Sequence, residues 1–193
     1  DNDLMIRNSD IQLNGQNGGD IKITSNHQQV ILDNSVIQTN GSSGRGGTVN
    51  ISANSDTLII NGTIEVKGAT LGGGVILTAT HMQLNSQTNI DATGNLGGGY
   101  VLVGGDWQGG SNVERRIFND PNALYQATTV FMHEDAVIDA SALVNGNGGT
   151  VVLWTDITNT NSVTRAHGSI FAKGGSGSGN GGWIETSGYR LFT

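Results

Sequence analysis

Glu65, Asp91 and Asp139 recur at one position of a repeated pattern along this chain. Clustered carboxylates can hold a cation or divide the work of acid and base on a sugar polymer. If they stacked about 4.8 Å apart on neighbouring strands, their like charges would repel, favouring a bound cation or a raised pKa. Lys67 and Lys173 stand two residues further along the corresponding segments. They would neutralise the row and leave a solvated strand face. The other chemistry-bearing types are scattered. His27, His81, His133 and His167 have no metal-ligand spacing, and "HED" from His133 reads as an exposed corner that strand alternation would splay. The calcium repeat G-G-x-G-x-D is absent, since "GGD" at Gly18 and at Gly104 lacks the rest. "GSGSGN" from Gly175 is rich in glycine, but no helix follows to offer amides to an anion. No catalytic residue, cofactor or metal ligand is assigned from these patterns.

The elements that would position such residues follow from an internal repeat. Ile11, Ile37, Ile64, Ile90, Ile138 and Ile170 each open a short alternating run that leads into a glycine-bearing tail. Two residues on stand Leu13, Thr39, Val66, Ala92, Ala140 and Ala172, with Gln12, Gln38, Glu65, Asp91, Asp139 and Phe171 between. That is period-two alternation, one face in and one face out. The Ile spacings are 26, 27, 26, 48 and 32 residues. A second apolar run precedes most of these isoleucines ("LMI", "VIL", "LII", "MQL", "VFM"), although "SVTRAH" before Ile170 is weak. A third follows the glycine tails ("DIKIT", "TVNIS", "VILTA", "YVLV", "TVVLW"), with its apolar residues nearly consecutive in the last three. Three short strands per period cannot bury their apolar faces as isolated hairpins, but they can as stacked turns of a coil. The expected fold is all-β: a right-handed parallel β-helix of about six to seven turns, one domain over residues 1–193, with the glycines at corners where φ turns positive or the backbone bends sharply. A β-sandwich would need unequal strands and hairpin turns instead of a repeated Ile ladder.

Composition narrows the function. The 193 residues include 31 glycines, one proline and no cysteine, with a formal net charge of −7. A disulfide framework and a thiolate metal site are excluded. An acidic chain without a basic stripe argues against nucleic acid and anionic membrane as partners. No apolar run approaches the ~20 residues of a membrane helix, so membrane insertion is not expected. A leader is not visible either, so any signal peptide is expected to have been removed or to lie outside this sequence.

Three stretches go further: "GGGYVLVGGDWQGG" (97–110), "AVIDASALVNGNGGTVVLWTD" (136–156) and "GSIFAKGGSGSGNGGWIETSG" (168–188), in that order. Together they resemble the repeat region of filamentous-haemagglutinin-like exoproteins, large adhesins secreted by two-partner systems. The resemblance, over roughly residues 70 to 190, implies a right-handed β-helical shaft, export from a Gram-negative cell, and a place at the cell surface or beyond it. The family's amino-terminal secretion module carries Asn-Pro motifs that are not evident here, which makes shaft the expected role.

The interval from Ile90 to Ile138 holds a surplus of 22 residues over a repeat of 26, assigned to an excursion over 104–129. Trp107, Arg115, Arg116 and Tyr125 make it a candidate ligand-contact loop, for glycans or surface proteins. As a mere staple, Phe118, Leu124 and Tyr125 would pin a long connection to the coil. Deleting 107–128 would restore the 26-residue spacing and is expected to leave the shaft folded. The expected function is a structural, adhesive shaft that is not an enzyme. It would continue into a longer coil or associate end to end through open strand edges. The alternatives are a polysaccharide lyase or glycosidase, and a glycan-binding module.

Overall fold

Residues that alternate β-branched or aliphatic with polar side chains can bury one face of a strand, and here the buried faces turn toward a common axis. A computed structural model describes residues 3–26 and 28–193; His27 therefore lies outside the described residues. The strands are β1 (Leu4–Arg7), β2 (Asp10–Gln12), β3 (Asp20–Thr24), β4 (Val30–Gln38), β5 (Thr48–Glu65), β6 (Gly74–Leu84), β7 (Asn89–Asp91), β8 (Tyr100–Val103), β9 (Thr129–Met132), β10 (Val137–Asp139), β11 (Thr150–Trp154), β12 (Val163–Ala166), β13 (Ser169–Phe171), β14 (Trp183–Ser187) and β15 (Arg190–Phe192). All their pairings are parallel, and they form three ladders. One ladder runs β1–β4–β5–β6–β9–β12–β15 and another β2–β4–β5–β7–β10–β13. The third runs β3–β5–β6–β8–β11–β14. The chain is thus an all-β coil of solenoid type.

In the second ladder Ile11, Ile37, Ile64, Ile90, Ile138 and Ile170 stack in unbroken register. Ile37, Ile64, Ile90 and Ile138 are fully buried, while Ile11 and Ile170 pack partly buried against the same core. Val49, Ile51, Leu58, Ile60, Val75, Leu77, Leu84, Val101 and Val103 complete the interior from the other two ladders.

Three details differ from the sequence reading. First, β4, β5 and β6 run on through corners that the pattern suggested as breaks. At the corner inside β4 the register shifts between Asp33 and Val36, and Asn34 takes φ 46°, as Asn8 does at φ 50° one turn earlier. Asparagine enters the left-handed region at low cost, and here the Asn34 amide donates to Asn8 Oδ1 at 2.7 Å. Second, "SVTRAH" does form a strand, β12, paired with β9 and β15. Of its inward residues, Ala166 packs on the core while Thr164 donates its hydroxyl to the Ser187 carbonyl at 2.8 Å, so a polar side chain stands where the pattern called for an apolar one. Third, the stacked glycines before the third-ladder strands are needed for close approach rather than for positive φ. The amides of Gly47 and Gly73 each donate at 2.7 Å to the carbonyls of Thr39 and Val66, drawing the chain across the corner. A Cβ on Gly73 would collide with the carbonyl oxygen of Gly47 in the turn before it, and one on Gly47 with that of Gly19.

Candidate functional site

Glu65, Asp91 and Asp139 do stand in register on the outer face of the second ladder. Each is already engaged. Glu65 pairs with Lys67 Nζ at 3.0 Å and accepts from Gln38 Nε2 at 2.8 Å and Asn40 Nδ2 at 3.1 Å. Asp91 accepts from the amide and hydroxyl of Thr93, and Asp139 from the amide of Ser141. Lys173 turns aside, its ammonium 4.4 Å from the Phe171 ring centre. Only Glu65 gains a cationic partner, Asp91 and Asp139 being held by neutral donors, and no group of three metal-ligating side chains occurs among the described residues. Beside it a shallow groove of about 640 Å³ follows Asn14, Asn40, Lys67 and Thr93 to Leu143. "HED" is a corner as expected, with His133 Nδ1 3.5 Å from Asp135 Oδ2. His133 and His167 both meet Phe131 edge to face.

The excursion between β8 and β9 is built around one carboxylate. Asp106 is buried, and its oxygens accept from the amides of Trp107 (2.7 Å), Ile117 (2.8 Å) and Phe118 (3.0 Å). It thereby caps the short 3-10 turn Trp107–Gly110 and pulls the far arm of the loop back beside it. Gln108, at φ 50°, and Gly109 and Gly110 turn the chain over the outer face of the third ladder. Trp107, at 8 % exposure, packs there with Leu102, Val152 and Trp154, and Tyr100, Phe118 and Leu124 close the cluster. Trp154 Nε1 donates to Gln126 Oε1 at 3.0 Å. The nearly consecutive apolar residues of "YVLV" and "TVVLW" now have their reason. Val101, Val103, Val151 and Leu153 face the axis, while Leu102, Val152 and Trp154 face the excursion.

Of the four residues singled out in the loop, only Trp107 and Arg115 meet. Trp107 is spent on packing. Arg115 lies over Trp183, its guanidinium carbon 3.7 Å from the ring centre and 5.4 Å from that of Trp107. Arg116 donates to the Gly110 carbonyl at 3.1 Å. Tyr125 alone of the four presents an aromatic face, 42 % exposed, with its hydroxyl tied to Thr80 Oγ1 at 3.0 Å. Phe118 and Leu124 do staple the loop to the coil. Ala127 goes further and enters the main core, so the expectation that 107–128 is dispensable does not suit this architecture. Residues missed from the sequence are Asp106, Trp154 and Glu185, which accepts from the Gln108 amide at 2.8 Å. Below Tyr125 the outer face of the third ladder turns polar. There Lys22, Asn50, Asn54, Leu124 and Tyr125 line a groove of about 240 Å³.

No helix among the described residues is long and apolar enough to cross a membrane. No family model matches the chain, and no curated protein matches it. Among solved structures it is similar to the HMW1 secretion domain from Haemophilus influenzae, with a TM-score of 0.63 and 23 % identity. The match covers 91 % of this chain and 44 % of that one, so the chain spans less than half of its neighbour's length. The two share the parallel all-β coil.

Proposed function

We propose that this chain is a β-helical segment of a bacterial exoprotein exported by a two-partner system, and that it serves there as a rigid, non-catalytic shaft. The observation that carries the reading is the unbroken register of the three parallel ladders, since a shaft transmits load through backbone pairing along its whole length. The likeness in fold to the HMW1 secretion domain supports the export route. Under this proposal the coil is right-handed, with six to seven turns, of the filamentous-haemagglutinin-like kind, and works in adhesion at or beyond the surface of a Gram-negative cell. A further coil or a second copy would pair with β1–β3 or β13–β15, which among the described residues are paired on one side only. The local engagement of Glu65 by Lys67, and of Asp91 and Asp139 by their own turn donors, speaks for a structural face rather than an acid–base pair. A screen for cleavage of uronate polymers with and without calcium tests that point, and release of unsaturated products would replace the shaft with a lyase.

A second reading, that the chain is itself the exported recognition module, is favoured by its likeness in fold to a secretion domain. One experiment separates the two. The chain is placed behind a Sec leader and co-expressed with a two-partner outer-membrane transporter. Retention in the periplasm, with export only when a known secretion module precedes it, fits the shaft. Export of the chain alone fits the module.

A further inference from the structure

We propose that the groove between Tyr125 and the polar part of the third ladder's outer face binds an acidic oligosaccharide laid along the coil axis. The site arises where the excursion stops. Leu102, Val152 and Trp154 need the loop to cover them, but the outward residues of β3 and β5 are polar, with Lys22 and Thr24 exposed and Asn50 partly so. Leu124 and Tyr125, near the end of the loop, form one wall, and the side chains of β3, β5 and β6 form the floor. The tie to Thr80 holds the Tyr125 ring upright at this edge. A fixed aromatic face beside amides and hydroxyls suits the mixed apolar and polar faces of a sugar ring.

The floor is ordered in a way that fits a polymer. Lys22 and Asn50 are register partners, as are Thr24, Ser52 and Thr78 in the next row, so their polar atoms recur about every 4.8 Å along the axis. The hydroxyl row is satisfied internally: Ser52 donates to Thr24 Oγ1 at 3.1 Å and Thr78 to Asn54 Oδ1 at 2.8 Å. Lys22 Nζ, the Asn50 amide and Asn54 Nδ2 have no partner among the described residues. The nitrogens of all three donate, and Asn50 Oδ1 offers an acceptor beside them. Although the chain carries a net charge of −7, no carboxylate lines this groove. One cation among amide groups, with no carboxylate in the lining itself, favours a ligand bearing carboxylates and hydroxyls. A peptide is disfavoured, because the groove opens onto side chains rather than onto a strand edge, and its apolar lining is confined to Ala123, Leu124 and the Tyr125 ring.

This inference does not depend on the export route, so the two can fail separately. The full chain is titrated calorimetrically with hexagalacturonate, uncharged xylohexaose and hexaglutamate. We expect hexagalacturonate to bind best and to weaken with added salt. Lys22→Gln and Asn50→Ala should each weaken it roughly tenfold. Tyr125→Ala should abolish binding and Tyr125→Phe retain most of it, circular dichroism confirming that each variant is folded. The proposal is overturned if no acidic oligosaccharide binds, if hexaglutamate binds as tightly as hexagalacturonate, or if binding survives all of these substitutions unchanged.

Discussion

The guanidinium of Arg115 sits 3.7 Å above the indole of Trp183, joining the loop that leaves β8 to the strand β14 two rungs further on. Trp107 meets the same indole edge to face at 6.3 Å. Trp183 is 49 % exposed, so the contact is partly hydrated and worth about 0.5–1 kcal/mol. A double-mutant cycle with Arg115→Ala and Trp183→Ala, followed by urea unfolding, should return a coupling of that size. Additive effects would mean that the two side chains are neighbours and nothing more.

Deletion of 107–128 is now expected to be severe. Leu102, Val152 and Trp154 would each be stripped of cover, at roughly 1.5–3 kcal/mol apiece. Ala127 would also leave the main core. Together these approach the whole stability of a typical domain, about 5–15 kcal/mol. The shortened chain should bind a hydrophobic dye and aggregate. A soluble product with a cooperative transition at the parent's midpoint would show that the excursion is mere covering.

Two substitutions in the second ladder should move stability in opposite directions. Ile64 is fully buried between Ile37 and Ile90, so Ile64→Asp places a carboxylate among apolar neighbours at a cost of several kcal/mol, on the order of 3–5. Thr39 is equally buried, and its hydroxyl has no hydrogen-bond partner. Thr39→Val removes that orphan at nearly constant shape and should gain about 1 kcal/mol. Thermal unfolding of both variants checks the pair, and a less stable Thr39→Val would mean that the hydroxyl has found a partner in solution.

Asp33 and Tyr100 set opposite pH limits. The Asn61 amide, ahead of the Arg7 charge, holds the Asp33 carboxyl below its ordinary 3.8. A lowered acid favours the folded state above the unfolded pKa, and that contribution fades as pH falls through the folded one. Asn61→Ala should therefore reduce stability at neutral pH and flatten its loss below 3.8. Burial raises the Tyr100 phenol above 10.0, so its contribution is present below that pH and is lost as pH rises through the higher folded value. Tyr100→Phe should flatten the alkaline limb. Unfolding midpoints measured from pH 2 to 11 test both.

The coil itself was legible because Ile11 through Ile170 repeat at a spacing that only stacked turns satisfy, and β-branched alternation marks which face is inward. The site was legible in part. Tyr125 was visible as an aromatic in a surplus segment, but Lys22 and Asn50 lie 103 and 75 residues earlier, in two unremarkable strands. Nothing local says that a loop from β8 will stop beside them. Trp107 misled for a related reason: an aromatic in a loop looks available until the apolar outer face it must cover is recognised. The clue was present in "YVLV" and "TVVLW", since strands buried on both faces lose their alternation. β12 escaped because Thr164 occupies an inward position through hydrogen bonds instead of apolar packing.

The loop that Asp106 folds over β8, β11 and β14 also changes how the coil can come apart. In a plain stack each turn holds only its neighbours, so a pull along the axis peels turns singly from whichever end is gripped. The tether from Gln108 to Glu185 and from Arg115 to Trp183 reaches past the intervening turn. Tension arriving from the carboxy-terminal side therefore meets a block that must yield together, while β1 to β5 can still unzip turn by turn. Under the proposed shaft role, such a coil would lengthen gradually from one side and resist from the other, absorbing shock up to a built-in stop.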